Sequence, residues 1–409
     1  MRMNAPKLIP SRTLRAIVLG AFLSSLLVIC GHQSSMGHAQ VSRLQPILPP
    51  AEGCYAGVFP GWGENEDSVD AQWLVEFEQL VGKGVAISPF SNFWGENYTS
   101  SQQFNELTSY GAIPLLRFMP WGPPYWNFFT YQPDYSYQRI IDGDFDTLLT
   151  DWAVEIKTFG KPVMVTFAVE MNGDWFPWSG VLQGGSTTGG FGDPSKADGP
   201  ERYVAAFRHI IELFRSQGVT NVAWLFHPNH ESYPEEAWNT FKAYYPGDDY
   251  IDWVGASLYG AMVPGETWVT FEEVMDSLYT ELTTTFPNKP LILPEWGVTD
   301  SDTPNLKATW YTDALAKLQS HYTRIKVAIV YHERYPTNGG WTDLCVNSTP
   351  QALQAYQTGI SSSYFIGSWN QTIIHLPTLL TPELLILTGA GIILLFIIII
   401  VIRRKRIQS

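Results

Sequence analysis

Cysteine is scarce, with three residues in 409. Cys30 falls in an apolar N-terminal run, which leaves Cys54 and Cys345 for a folded domain. An exported chain permits a disulfide, but Cys54 opens a predicted strand and Cys345 follows the last one, so the two are expected at opposite ends of the strand layer and unpaired. Basic residues are also few: 25 Lys and Arg against 39 Asp and Glu, a net charge of −14. Eight of the 25 sit at the termini (Arg2, Lys7, Arg12, Arg15, Arg403, Arg404, Lys405, Arg406), so 17 remain for the 39 acids and the central chain stands at −22. A surface this acidic repels phosphate backbones, which argues against nucleic acid as a partner and favours a neutral or cationic ligand over a polyanion. No short repeat is visible beyond a strand–helix rhythm. The spacing of His227, His230 and Glu231 fits no strong zinc pattern and lies in a Pro/Asn turn, so neither a metal nor a cofactor is expected.

Aromatic residues, by contrast, are abundant: 16 Trp, 20 Tyr and 22 Phe. They make either an aromatic-rich core or a set of exposed rings suited to stacking on sugars, and composition does not separate the two. Residues 1–15 are basic and free of acids, residues 16–30 (AIVLGAFLSSLLVIC) are apolar, and Gly37-His38-Ala39 offers small residues where a signal peptidase reads. This predicts an export signal over 1–39, with an uncleaved anchor as the alternative. Ile29 is too bulky for a lipobox before Cys30. Residues 384–402 carry no charge and are long enough to span a bilayer. The Arg403-Arg404-Lys405-Arg406 run places the tail 403–409 in the cytoplasm and the large domain outside. Pro382-Glu383, the apolar span and the basic end resemble bacterial sorting tags of the PEP-CTERM kind; a plain tail anchor serves equally. The oligomeric state is not legible.

Residues 40–52 read as a Pro-rich leader and 362–383 as a linker. Between them, over 53–361, short apolar runs alternate with helical patterns, the signature of a parallel sheet with crossover helices. The strand candidates are 54–60, 84–90, 112–118, 162–169, 221–227, 251–258, 289–294 and 325–331. Their near-continuous hydrophobicity suits burial on both faces. Helices are predicted over 70–81, 101–110, 145–158, 200–217, 268–284 and 305–321. In 200–217 the apolar positions 203/204, 207, 210/211 and 214 share one face, and Gly218 ends the helix. Thr303-Pro304, Gly199-Pro200 and Thr349-Pro350 each place a cap residue before a Pro at the first helical position. Eight units in about 300 residues predict an α/β fold of (β/α)₈ barrel type, a size typical of that architecture; an open doubly wound sheet is the alternative. Residues 181–199 form a Gly/Ser-rich loop after the fourth strand, on the face where barrels build their sites.

At that face the fourth strand runs into Val169-Glu170-Met171-Asn172-Gly173-Asp174-Trp175-Phe176-Pro177-Trp178. A glutamic acid walled by aromatics is held protonated by burial and can hand a proton to a departing sugar oxygen; it can equally be a structural acid bonded to loop amides. The seventh strand ends Leu293-Pro294-Glu295-Trp296-Gly297. There Trp296 can floor a sugar site and Gly297 permits close backbone approach. Two glutamates from strands four and seven of one barrel point into a shared mouth, and glycoside hydrolysis requires such a pair.

The stretch FAVEMNGDWFPW resembles the acid/base motif of glycoside hydrolase family 26, the β-mannanase family, whose members typically read R-F-x-H-E-M-N-G-x-W-x-x-W. The likeness continues through WVGASLYG at strand six and LILPEWG at strand seven. It implies a retaining endo-acting hydrolase of a β-linked polysaccharide, with β-mannan the first choice and β-glucan, β-xylan or an exopolysaccharide the alternatives. Glu170 is then the acid/base and Glu295 the nucleophile. Tyr259 is the tyrosine bonded to the nucleophile, and Trp175 the ring lining the sugar site. The family's His before the acid/base is Val169 here, which cannot donate a hydrogen bond to substrate. Further substrate-binding candidates are Asn172, Trp178, Trp296, Trp121 and Arg117, the last also readable as half of a buried ion pair. Trp94 and Trp126 lie in loops of the same face, and His332-Glu333 reads as site wall or a structural pair. A non-catalytic sugar-binding barrel and a metal-dependent hydrolase are the rival readings.

Overall fold

The computed structural model describes residues 46–63, 66–95, 100–125, 128–263, 265–337 and 340–369. The expected export signal with Cys30, residues 40–45 of the leader, Trp126, the linker beyond residue 369, the apolar span 384–402 and the basic tail lie outside the described residues. Among the described residues no helix is long and apolar enough to cross a membrane.

The strands are β1 (Cys54–Phe59), β2 (Ile87–Phe93), β3 (Ile113–Met119), β4 (Val163–Phe167), β5 (Val222–Phe226), β6 (Trp253–Gly255), β7 (Leu258–Tyr259), β8 (Leu291–Gly297) and β9 (Ile325–Tyr331). All pair in parallel in the order β1-β2-β3-β4-β5-β6-β8-β9, and β9 returns to β1 with Tyr55 opposite Val327 and Phe59 opposite Tyr331. Eight strands therefore close on themselves, so the architecture is the barrel and not the open sheet. The two-residue β7 prolongs the line of β6 and pairs with the end of β8, Tyr259 opposite Gly297. After β9 the chain makes an antiparallel hairpin, β10 (Arg334–Thr337) with β11 (Gly340–Asp343). A short β12 (Phe365–Ile366) lies against the start of β1.

Two apolar layers hold the barrel. Inward side chains, among them Ile113 and Leu115 of β3, Met164 of β4, Leu225 of β5, Ile292 of β8 and Ile329 of β9, form one cluster with Ile47. Ile47 comes from the expected leader and plugs the lower end, its carbonyl accepting from Trp253 Nε1 at 3.0 Å. The alternate, outward side chains pack under the helices in a second cluster. In the helix Asp198–Ser216, Tyr203, Phe207, Ile210, Ile211 and Phe214 are buried on one face, as the 3.6-residue period requires. Asp70 caps the helix Ala71–Val81. A reciprocal Thr270/Glu273 capping box starts the helix Phe271–Thr285.

Some local expectations need correction. Thr349 does cap the helix Pro350–Ile360, but Pro200 is the third residue of its helix, because the buried Asp198 begins it. Pro304 lies outside the helix Leu306–Ser320, which starts after Asn305 in a left-handed turn (φ 69°). A Cβ on Gly297 would meet only ordinary contacts at 3.6 Å and beyond, so no close approach explains that glycine. Cys54 and Cys345 are both free thiols.

Close approach is instead found at Gly255. A Cβ there would stand 2.0 Å from the Ile292 carbonyl oxygen, on the seam where β6 meets β8. Gly255→Ala is expected to lower unfolding stability by about 2–3 kcal/mol, the usual scale of overpacking against backbone. The urea midpoint checks it; an unchanged midpoint would mean that the seam opens freely.

Candidate active site

The two glutamates reach one site by different backbone devices. After β4 the chain leaves strand geometry, and Ala168 and Glu170 both take left-handed conformations (φ 48° and 57°). Such values are uncommon for residues with a Cβ and gather where surrounding structure over-determines the backbone. Here Ala168 N–H donates to Phe118 O at 2.9 Å, Glu170 N–H to His227 O at 2.8 Å, and Gly173 N–H to Glu170 O at 2.9 Å. On β8 the device is a bulge: Leu293 faces Ala328 and Trp296 faces Val330, so β8 spends three residues where β9 spends two. The extra residue shifts the alternation. Ile292 faces the interior, and three residues later so does Glu295, which leaves Trp296 facing out.

Glu295 is buried (7 % exposed) and accepts from Arg117 Nη1 at 2.7 Å and from Tyr259 Oη at 2.9 Å. Glu170 is also buried (9 % exposed) and accepts from Trp175 Nε1 at 2.8 Å and from the Ser257 hydroxyl. A Cβ on Gly173 would meet the Trp175 ring at 2.5 Å, so glycine is what lets that indole fold back over Glu170. Burial first, and then the charge of Glu295, push the Glu170 carboxyl up to about 7, against the hydrogen bonds from Ser257 and Trp175 and the pull of Arg117. Burial raises Glu295 as well, opposed by Arg117 and Tyr259. Because Arg117 bonds Glu295 directly, Glu295 is the member of the pair that ionises and Glu170 the one that keeps its proton. Tyr259 is raised well above the ordinary phenol range by burial and then by Glu295, so it stays a donor.

Arg117 is inside the barrel at 2 % exposure, its guanidinium 4.7 Å over the Phe59 ring. Its Nη2 bonds Glu66 Oε2 at 2.7 Å. Glu66, from the turn after β1, was not legible as a site residue, since nothing in its local pattern marks it. Ser257 and Tyr335 were missed too. Tyr335, on the hairpin, feels the charges of Glu333, Glu295 and Glu170. Glu333 lies against this group, pushed up to about 7 chiefly by burial.

The structure does not bring every aromatic candidate to the site. Trp296 is under the helices, stacked on Trp310 with ring centroids 5.7 Å apart, and floors nothing. Trp178 is fully buried, stacked on Phe176 and bonded to the Val169 carbonyl at 2.7 Å. Trp121 is buried edge-on against Trp178 and Phe128, and Trp94 packs on Phe145 and Trp152. Asn172 is fully buried. Its amide ties the β4 and β5 loops through Asn229 and Glu231 carbonyls and the Asn229 N–H, so it supports the site and does not line it. Among the described tryptophans proposed from sequence, Trp175 alone is partly exposed, and it lies at Glu170. Tyr233 packs against its edge at 5.7 Å, and the neighbouring Phe129 is 65 % exposed. His227 bonds Ser257 Oγ at 2.9 Å and burial holds it neutral. His332 accepts from Val346 N–H. Among the described residues, no three His, Cys, Asp or Glu side chains are grouped to hold a metal ion.

Fold and site together define a (β/α)₈ barrel with a buried carboxyl pair at the C-terminal ends of its fourth and seventh barrel strands. Residues 127–292 match the model of glycosyl hydrolase family 26, a stretch that includes Glu170 and stops three residues before Glu295. Endoglucanase H of Acetivibrio thermocellus is 28 % identical over 324 residues, which cover 78 % of this chain and 31 % of that protein. The chain therefore spans about a third of the length of this relative. Among solved structures, a Bacillus subtilis mannanase superposes with TM-score 0.52 at 17 % identity, over 81 % of this chain and 91 % of its own. A GH26 protein from a Muricauda species does so with TM-score 0.54 at 15 % identity, over 77 % and 87 %. These two likenesses are of fold. Over residues 127–292 the chain is therefore similar to glycosyl hydrolase family 26.

Glu170 keeps its proton up to about pH 7 when folded, whereas an unfolded glutamic acid loses it near pH ~4.3. Between those values the folded chain holds more protons, so its stability falls as pH rises through that window. Glu170→Gln carries no such penalty. Its melting temperature relative to the parent is expected to climb from pH 4.5 to 7.5, and a pH-independent difference by calorimetry would contradict the assignment.

Proposed function

We propose that this chain is a retaining, endo-acting glycoside hydrolase of a β-linked polysaccharide. The observation that carries the reading is the unequal bonding of two buried carboxyls in one site: Glu295 is held by Arg117 and Tyr259, whereas Glu170 meets no cation among the described residues and burial favours its protonated form. In the first step Glu295 attacks the anomeric carbon while Glu170 protonates the leaving glycosidic oxygen. The Glu295–sugar ester forms as the C–O bond to the leaving group breaks. In the second step Glu170, now ionised, takes a proton from water, which attacks the same carbon and releases Glu295. Tyr259 steadies the Glu295 carboxylate before it attacks and again as it is released. Trp175, Tyr233 and Phe129 offer rings on the acid/base side, where the leaving saccharide would lie.

β-Mannan is the first substrate to try, on the family's likeness, with β-glucan next because the Acetivibrio relative is an endoglucanase by name. The acidic chain favours neutral glycans. We also propose that the domain is exported and held at the cell surface by the apolar span 384–402, on the strength of the charge pattern at its ends. Membrane fractionation with and without that span tests the tether.

Assay of the purified chain on a panel of β-mannan, β-glucan and β-xylan should release new reducing ends from at least one. The alkaline limb of kcat/KM should fall near pH 7, where Glu170 loses its proton. Glu170→Ala and Glu295→Ala should each lower turnover by about 10³-fold or more. Added azide should then return a β-glycosyl azide from the first variant and an α-glycosyl azide from the second. Parental turnover in both folded variants would dismiss the mechanism.

A further inference from the structure

An arginine that meets one carboxylate with both terminal nitrogens forms its strongest pair. Arg117 does not do this. Its fork is divided, Nη1 to Glu295 at 2.7 Å and Nη2 to Glu66 at 2.7 Å, while Nε has no partner among the described residues. The orientation of the guanidinium therefore rests on the two carboxylates and on the Phe59 ring beneath it. Glu66 is itself anchored: Ser91 Oγ donates to its Oε2, and Ser91 N–H donates to its carbonyl at 3.1 Å. Ser91 is fully buried on β2, whereas the Glu66 side chain is 32 % exposed at the barrel mouth.

We propose that Glu66 is a positioning residue for the nucleophile: by holding the second arm of Arg117 it prevents the guanidinium from clamping Glu295 with both nitrogens, and so leaves the Glu295 carboxylate free to attack. The inference rests on the assignment of Glu295 as nucleophile. The chemistry follows from electron demand. A carboxylate whose two oxygens are both engaged by a guanidinium is stabilised as an anion and attacks poorly. One that shares its arginine with a second anion retains more of its electron density. Tyr259 already holds Oε2 of Glu295, so a second bond from Arg117 would crowd both oxygens. The other titratable groups that face the triad are Glu170 after β4, His227 after β5, Tyr259 on β7, and Tyr331, Glu333 and Tyr335 at and after β9. None of them bonds Arg117 among the described residues, so Glu66 is the group placed to divide the fork.

The test is Glu66→Gln in the full chain, with Ser91→Ala as a second variant that keeps the charge but loosens the anchor. Two readouts are used. The first is the rate of glycosyl-enzyme formation, taken from kcat/KM on an aryl glycoside. Glu66→Gln should lower it about tenfold with KM for oligosaccharide little changed, and its acid limb should move to lower pH. The sign follows from charge: the Glu66 anion disfavours ionisation of Glu295, so removing it makes Glu295 lose its proton sooner. The second is the carboxyl ¹³C titration of Glu295, identified by its loss in Glu295→Gln. Its midpoint should fall in Glu66→Gln and fall less in Ser91→Ala. Activity lost together with melting temperature, with the Glu295 midpoint unmoved, would make Glu66 merely structural and overturn the proposal, as would an unaltered rate. If the parent chain cleaves no glycan, the functional reading fails by itself, and the NMR titration still decides whether Glu66 acts on Glu295.

Discussion

A single buried cation organises this site. Arg117 stands inside the barrel among the carboxyl groups of Glu66, Glu170, Glu295 and Glu333. One guanidinium cannot compensate four anions away from water. The protons therefore distribute by distance from it: Glu295, in direct contact, gives its proton up, while Glu170 and Glu333 hold theirs to about pH 7. An acid and a nucleophile, which the proposed chemistry needs as two distinct protonation states of one residue type, thus follow from the placement of one arginine. The neutral donors complete the division. Tyr259 adds a bond to the charged member, and Ser257 and Trp175 orient the protonated one.

Most of the fold was legible because parallel strands buried on both faces leave unbroken apolar runs. Where that signal weakens, so does the reading. The second strand lies at 87–93 and not at 84–90, because it carries Ser88 near its start and Ser91 and Asn92 at its upper end, polar residues that are fully buried. The sixth strand stops at Gly255, as the backbone turns aside to bond Ser257 N–H to the Pro228 carbonyl and His230 N–H to the Ser257 carbonyl.

Site residues were legible to the extent that they sit at strand ends within a recognisable motif. Glu170, Glu295, Arg117, Tyr259 and Trp175 converge as expected. The aromatic neighbours failed for a physical reason. In a strand the neighbour of an inward residue faces outward, so Trp296 is removed from the site by the same bulge that delivers Glu295 to it. A bulge leaves no mark in composition. Glu66 was invisible for another reason: an acid in an irregular turn gains its meaning only from the arginine it meets, 51 residues further along the chain.

The backbone around Glu170 also bears on Val169, the position where the family's histidine would stand. Left-handed turns at Ala168 and Glu170 flank it. Its side chain is 2 % exposed within the cluster between barrel and helices, and its carbonyl is taken by Trp178. Val169 is therefore part of the packing that holds two strained residues in place, a task for which a β-branched apolar side chain is suited. Loss of the imidazole removes a donor from that position without disturbing the carboxyl pair. On the proposed function, discrimination among sugars would come from groups around the carboxyl pair: Tyr259, Trp175 beside Glu170, and the rings of Tyr233 and Phe129 next to it. The reacting centre rests on bonds between rigid strands, whereas Tyr233 and Phe129 stand on loops, so substrate choice can vary in this barrel without altering how the two carboxyls share their protons.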